Sequence, residues 1–107
     1  MTGVSRHLNE SELKAKKILE KMDWYPQRTR FFSYESSYGI PDFVCSNNRF
    51  VEVKKLDGYH GATSISKSQF KSFKKLNRKG KKTFLLVMSN DLDDFDMFEI
   101  KYIGNDK

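Results

Sequence analysis

The stretch Gly39-Ile40-Pro41-Asp42-Phe43-Val44-Cys45-Ser46-Asn47-Asn48-Arg49-Phe50-Val51-Glu52-Val53-Lys54 decides how this chain is read. Phe43 to Cys45 and Phe50 to Val53 are short apolar runs rich in aromatic and β-branched residues, which suit a pleated, half-buried surface. Ser46-Asn47-Asn48 between them is turn chemistry, because asparagine tolerates the positive φ that a tight reversal needs. The spacing predicts a β-hairpin.

Side chains alternate along a strand, so Glu52 and Lys54 project to one side while Val51 and Val53 project to the other. Asp42 opens the preceding strand, diagonally within reach across the ladder. Two carboxylates and an ammonium then converge at the mouth of the hairpin. Carboxylates held close repel one another unless a cation stands between them, and hard oxygen ligands suit Mg²⁺ or Mn²⁺. Glu52-x-Lys54 taken alone also describes an ion pair on a solvated sheet face, which is worth little energetically.

The longer string, Gly39-x-Pro41-Asp42 followed about ten residues later by Glu52-Val53-Lys54 between apolar neighbours, resembles the PD-(D/E)XK nuclease superfamily. With Ser68-Gln69 and a basic helix beyond, it is most similar to the small VRR-type nucleases and Holliday-junction resolvases, over roughly residues 12 to 88. The resemblance implies a restriction-endonuclease-like α/β core, a mixed central β-sheet flanked by helices in the order α-β-β-β-α-β-β. It also implies a Mg²⁺-dependent endodeoxyribonuclease, with Mn²⁺ able to substitute. Asp42, Glu52, the backbone carbonyl of Val53 and, directly or through water, Glu12 would hold one or two ions. Lys54 would position the attacking water or neutralise the transition state, and Gln69 would hydrogen-bond that water or a phosphate.

DNA, whether duplex, branched or a four-way junction, is the implied partner, in recombination or repair. A Holliday junction has two-fold symmetry, so a resolvase must bring two sites to it, and a homodimer is expected. Tyr38, Tyr59 and Phe95 are candidates for its interface. The competing reading is a non-catalytic nuclease-fold module that holds nucleic acid without cutting it and needs no metal.

Charge supports a polyanionic partner on independent grounds. The 107 residues carry a net charge of +6. Lys67, Lys71, Lys74, Lys75, Arg78, Lys79, Lys81 and Lys82 fall within one segment that has no acid, so the remainder is net negative by two. Basic charge confined to one segment reads as a docking surface for nucleic acid. The length suits one domain spanning residues 1–107.

The single cysteine, Cys45, has no partner for a disulfide or a zinc site, which points to a reducing compartment. Its place in mid-strand, opposite in facing to Asp42, reads as a small buried hydrophobe. No apolar leader or membrane-length run is present, so a soluble, unexported, cytoplasmic protein is expected. The chain also lacks internal repeats, a P-loop, a dinucleotide fingerprint and a Ser/His/Asp triad, so no small-molecule cofactor is expected.

Residues 1–7 have no pattern and are expected to fray. A helix is expected from Asn9 or Ser11 to about Met22, with Leu8, Ala15, Ile18, Leu19 and Met22 on one stripe. Glu12 lies inside that stripe, and an inward acid needs a partner. It either closes a capping box with Asn9 or points over the sheet to join the acidic cluster, as the resembled superfamily's first-helix glutamate does. Glu20 is the replacement candidate for that role.

Pro26 ends the helix, and a strand is expected from Arg28 to about Glu35. Trp24, Tyr25, Phe31 and Phe32 read as packing residues rather than base-stacking platforms. Glu35 is a further candidate acid. Beyond Lys54, residues 55–64 form a loop over the site, in which His60 is either solvated or a proton shuttle.

A second helix is expected from the Ser66 cap to Asn77 or Lys79, stopped by Gly80, with Phe70, Phe73 and Leu76 inward. Gln69 completes a capping box or serves the site. Lys71, Lys74, Lys75 and Arg78 lie on the opposite face. Thr83 to Met88 is an uninterrupted apolar run, expected as a central strand buried on both faces. Asp91 to Asp96 lacks the glycine and terminal glutamate of a calcium loop and reads as a solvated turn before a last strand, Met97 to Ile103.

Overall fold

The computed structural model describes residues 8–29, 40–59 and 61–104. Two helices and five strands follow one another in the chain: α1 Glu10–Lys21, β1 Gln27–Arg28, β2 Phe43–Cys45, β3 Arg49–Lys55, α2 Lys67–Arg78, β4 Lys82–Met88 and β5 Phe95–Ile100. The strands form one mixed sheet in the order β1-β2-β3-β4-β5. Neighbours are antiparallel except β3 and β4, which are parallel and are joined through α2. A parallel pair needs a crossover long enough to return the chain to the same end, and α2 supplies it.

Both helices begin with the signals their sequences carry. The Asn9 side chain accepts the Glu12 amide and Glu12 reaches back to the Asn9 amide, while Ser66 and Gln69 do the same for α2. Each pair satisfies two backbone donors that a helix start otherwise leaves open. At the far end of α2, Gly80 follows the cap residue Lys79 with φ 82°, a left-handed conformation that glycine adopts without steric cost.

Alternation along the strands separates two faces. Phe43, Cys45, Val51, Val53, Leu86 and Met88 point to one, where Ala15 and Leu19 of α1 close over them in the buried core. Asp42, Glu52, Lys54 and Thr83 belong to the other, where α2 lies: Gln69 bonds both Glu52 and Lys54, and Asn77 bonds Thr83. The helices therefore cover opposite faces of the sheet. Cys45 is buried, and burial pushes its thiol up to about 12, as suits a packing residue.

The structure corrects several expectations. The middle strand is β3, not β4. Thr83, Leu86 and Met88 are buried, but Leu85 and Val87 are only half-buried, because one short helix does not cover the whole of its face. Tyr25 is 69% exposed and not packed inside. It takes φ 50° before Pro26, which turns it off the helix path. Trp24 does pack, edge-on to Phe84 at 5.0 Å, with Arg49 4.1 Å from its ring centre. Phe70, expected on the inward stripe of α2, is 57% exposed, while Phe73 is buried.

The acidic turn ends at Asp94, and β5 begins at Phe95, paired with Met88. It stops at Ile100, after which the Asn77 side chain accepts the Tyr102 amide at 2.7 Å and draws the chain toward α2. Strand β1 begins one residue earlier than expected, at Gln27. It ends at Arg28, so Thr29 is already out of the expected strand; residues 30–35 of that strand lie outside the described residues, as do Phe31, Phe32, Tyr38 and His60. No helix among the described residues is long and apolar enough to cross a membrane.

Candidate active site

The hairpin turn fixes the geometry. Asn47 and Asn48 both adopt positive φ, 60° and 61°, and the strands they join pair Phe43 with Val51, Val44 with Phe50 and Cys45 with Arg49. One further step along that register sets Asp42 opposite Glu52. The two acids thus face each other directly across the ladder, where the sequence suggested a diagonal.

Asp42 is held from both sides. Its backbone carbonyl accepts the Thr29 amide at 3.0 Å, and its carboxylate accepts the Val53 amide at 2.9 Å. The N–H and C=O of one strand residue leave the strand on the same side. The Val53 carbonyl therefore faces the edge of β3 that Asp42 occupies.

Glu52 is 5% exposed, and its two oxygens have different fates. Oε2 accepts Gln69 Nε2 at 2.8 Å and lies 3.6 Å from Lys54 Nζ. Oε1 is buried with no hydrogen-bond partner among the described residues. Lys54 Nζ donates to Gln69 Oε1 at 2.8 Å, so Glu52, Lys54 and Gln69 form a closed triangle over the second face of the sheet. The same Gln69 oxygen accepts the Ser66 amide at 3.0 Å. The helix cap and the bonds to Glu52 and Lys54 are thus made by one side chain.

Glu12 likewise serves two ends. Its Oε1 accepts the Asn9 amide at 3.3 Å and lies 3.9 Å from Arg28 Nη2, while its carboxyl raises the proton affinity of Asp42. Glu12 thus acts on Asp42, which in turn stands opposite Glu52. Glu20 is exposed on α1. Among the described residues, no three Asp, Glu, His or Cys side chains gather closely enough to hold a metal ion by themselves.

Arg28 belongs to this site too, and sequence reasoning missed it. It is 5% exposed and ion-paired to Glu12, and it lowers the proton affinity of Asp42. A lone arginine two residues after a proline carries no local signal, since its partner lies a whole helix away in the chain.

The electrostatics follow from burial. Desolvation, opposed by the Val53 amide and reinforced by Glu12, pushes Asp42 up from 3.8 to about 6. Desolvation and the Asp42 charge push Glu52 up from 4.5 to about 8, against the pull of Lys54. Both acids hold a proton more tightly in the folded chain than in the unfolded one. Their contribution to stability is therefore complete below about pH 4 and is lost as pH rises through about 6 and then about 8.

With divalent cations chelated, the wild-type midpoint of thermal unfolding is expected to fall between about pH 5 and about pH 8. Glu52→Gln, which cannot ionise, should flatten that fall, since a tenfold change in proton affinity is worth about 1.4 kcal/mol. Parallel curves for the two proteins would show that Glu52 is not strained by its charge.

The basic segment lies along α2 and just beyond it. Lys67, Lys71, Lys75, Arg78, Lys79 and Lys82 are on the surface, and Lys74 and Lys81 are half-buried. Lys74 Nζ and Arg78 Cζ approach the Tyr102 ring centre at 4.9 and 5.5 Å, and Lys81 donates to Asn48 at 3.2 Å. Gln69, which bonds Glu52, sits in the first turn of the same helix. The chain matches no protein-family model, no curated protein and no solved structure.

Proposed function

We propose that this chain is a metal-dependent DNA endonuclease with a restriction-endonuclease-like core, acting on branched or junction DNA. The observation that carries the reading is the buried Glu52 Oε1, without a partner among the described residues, on a side chain opposite Asp42 across the hairpin. Ionising an oxygen kept from every donor among the described residues is costly unless a cation completes it. Hard oxygen donors from Asp42, Glu52 and the Val53 carbonyl fit Mg²⁺ or Mn²⁺. Magnesium commonly takes only one or two protein carboxylates and leaves its other positions to water and substrate phosphate. A site of two carboxylates, with Glu12 acting on Asp42 from behind, meets that need without a third side-chain ligand.

A divalent cation supplies acidification of a water molecule and stabilisation of the charge that gathers on the phosphate during hydrolysis. Lys54 adds a fixed positive charge beside the scissile group, and Gln69 holds both Lys54 and Glu52 so that neither swings away. Asp42, pinned by the Val53 amide, stands opposite Glu52 across the hairpin. The exposed cations of α2 grip the DNA backbone, and a homodimer would present two such sites to a four-way junction.

The test is incubation with duplex, flap and four-way DNA in Mg²⁺ or Mn²⁺. Cleavage products are expected with either ion and should vanish on chelation. Tight DNA binding with no cleavage of any substrate in either ion would instead support a non-catalytic nuclease-fold module.

A further inference from the structure

The triangle leaves one feature of α2 unused. Phe70, next to Gln69, is turned outward at the rim of a cavity of about 250 Å³ between α2 and the segment that follows β5. Its wall is Phe70, Phe73, Tyr102 and Ile103, with Lys74 and Lys101 beside them. Asn77 builds it: one side-chain atom accepts the Tyr102 amide and the other donates to Lys81 and to buried Thr83, whose hydroxyl bonds the Ile100 carbonyl.

We infer that this cavity receives one unpaired base of a single-stranded DNA arm, stacked on Phe70, while Lys74 and Lys101 meet the adjoining phosphates. The inference rests on the nucleic-acid reading and names the part of the substrate that leaves the duplex. Three observations support it. Phe70 is 57% and Ile103 91% exposed, a large apolar surface at the end of a helix that is otherwise densely charged. The surrounding charge is cationic, and α2 has no acid of its own, which complements a phosphate-linked ligand and repels a cationic one. The volume falls below the ~300–1,000 Å³ of sites for drug-sized ligands, so it suits a single planar heterocycle.

Position gives the base a purpose. From Phe70 to Asn77 the helix rises about 10 Å, so the cavity begins one residue from the Gln69 that orders Glu52 and Lys54. An arm whose first free base stacks here is anchored within a few nucleotides of the acids. Aromatic stacking of this kind is indifferent to base identity, so the preference would be for structure and not for sequence.

The test uses the full-length protein and a duplex bearing a single-stranded arm with 2-aminopurine at successive arm positions. One position is expected to lose fluorescence on binding, as that base leaves water for an aromatic face. Phe70→Ala should lower affinity for the armed duplex about tenfold relative to blunt duplex measured with the same variant, and Phe70→Trp should restore the ratio. An unchanged ratio in Phe70→Ala, with both DNAs still bound, would overturn the base site and leave the nuclease reading standing. Wild-type protein that binds neither DNA would overturn both. A change in sedimentation of Phe70→Ala from dimer to monomer, with no change in the ratio, would assign the cavity to a second copy of the chain and overturn the inference.

Discussion

Asp42→Ala and Glu52→Ala are each expected to slow Mg²⁺-dependent DNA cleavage by at least about a thousandfold while leaving DNA affinity within a few-fold of wild type. The two carboxylates have no other evident purpose that would justify their burial. Asp42 and Glu52 stand opposite one another and raise each other's cost, and Glu52 keeps an oxygen that nothing among the described residues satisfies. Natural cores seldom retain such a group without a role. Removing it should cost chemistry and not fold, since it also removes a repulsion. Asp42→Asn and Glu52→Gln keep the shape and one acceptor oxygen each, so equal losses in these variants would separate the missing charge from any loosening of the hairpin. Single-turnover rates on a preformed DNA complex make the measurement. Full cleavage by either alanine variant would remove that residue from the site.

Reversing Lys71, Lys75 and Lys79 to glutamate together should weaken DNA binding by about a hundredfold or more near physiological salt, for every sequence alike. These three lie along or just past α2, on a segment without acids. Each lysine that no longer neutralises a phosphate takes about one unit from the slope of log affinity against log salt, so the slope should become shallower by about three. The magnitude follows from counterion release and not from any single ion pair, which at an exposed site is worth little. Anisotropy titrations over a range of salt decide it. A parallel slope, displaced or not, would mean that DNA docks on another face.

The hairpin was legible in the sequence because each of its signals is local. The turn asparagines take the positive φ that turn chemistry demands, and β2 spans Phe43 to Cys45 as its composition suggests. Period-two alternation then placed Glu52 and Lys54 together without any knowledge of the fold. Both helix starts were legible for the same reason, since a capping box is written within four residues.

What escaped depended on partners distant in the chain. Arg28 gains its meaning from Glu12 across the end of the sheet. Phe70 reads as core by helical spacing, yet α2 is too short to cover its face, so the first aromatic of the stripe emerges at the rim. The run from Thr83 to Met88 is apolar enough for a central strand, but whether both faces are covered depends on how far α2 and the loops reach. That Gln69 caps α2 and bonds Lys54 and Glu52 at the same time was not legible, because only the folded chain brings those two side chains to the helix start.

The proposed hydrolysis requires that Asp42 and Glu52 share one divalent cation. Calorimetric titration of Mn²⁺ into the wild-type protein and into Asp42→Asn, Glu52→Gln and Glu20→Gln measures that sharing without DNA. A saturable site is expected in the wild type and in Glu20→Gln, tighter as pH rises because the ion displaces protons from both acids, and no such site in the other two variants. Equal Mn²⁺ binding by all four proteins, or no saturable binding by the wild type at any pH at which it stays folded, would contradict a shared ion.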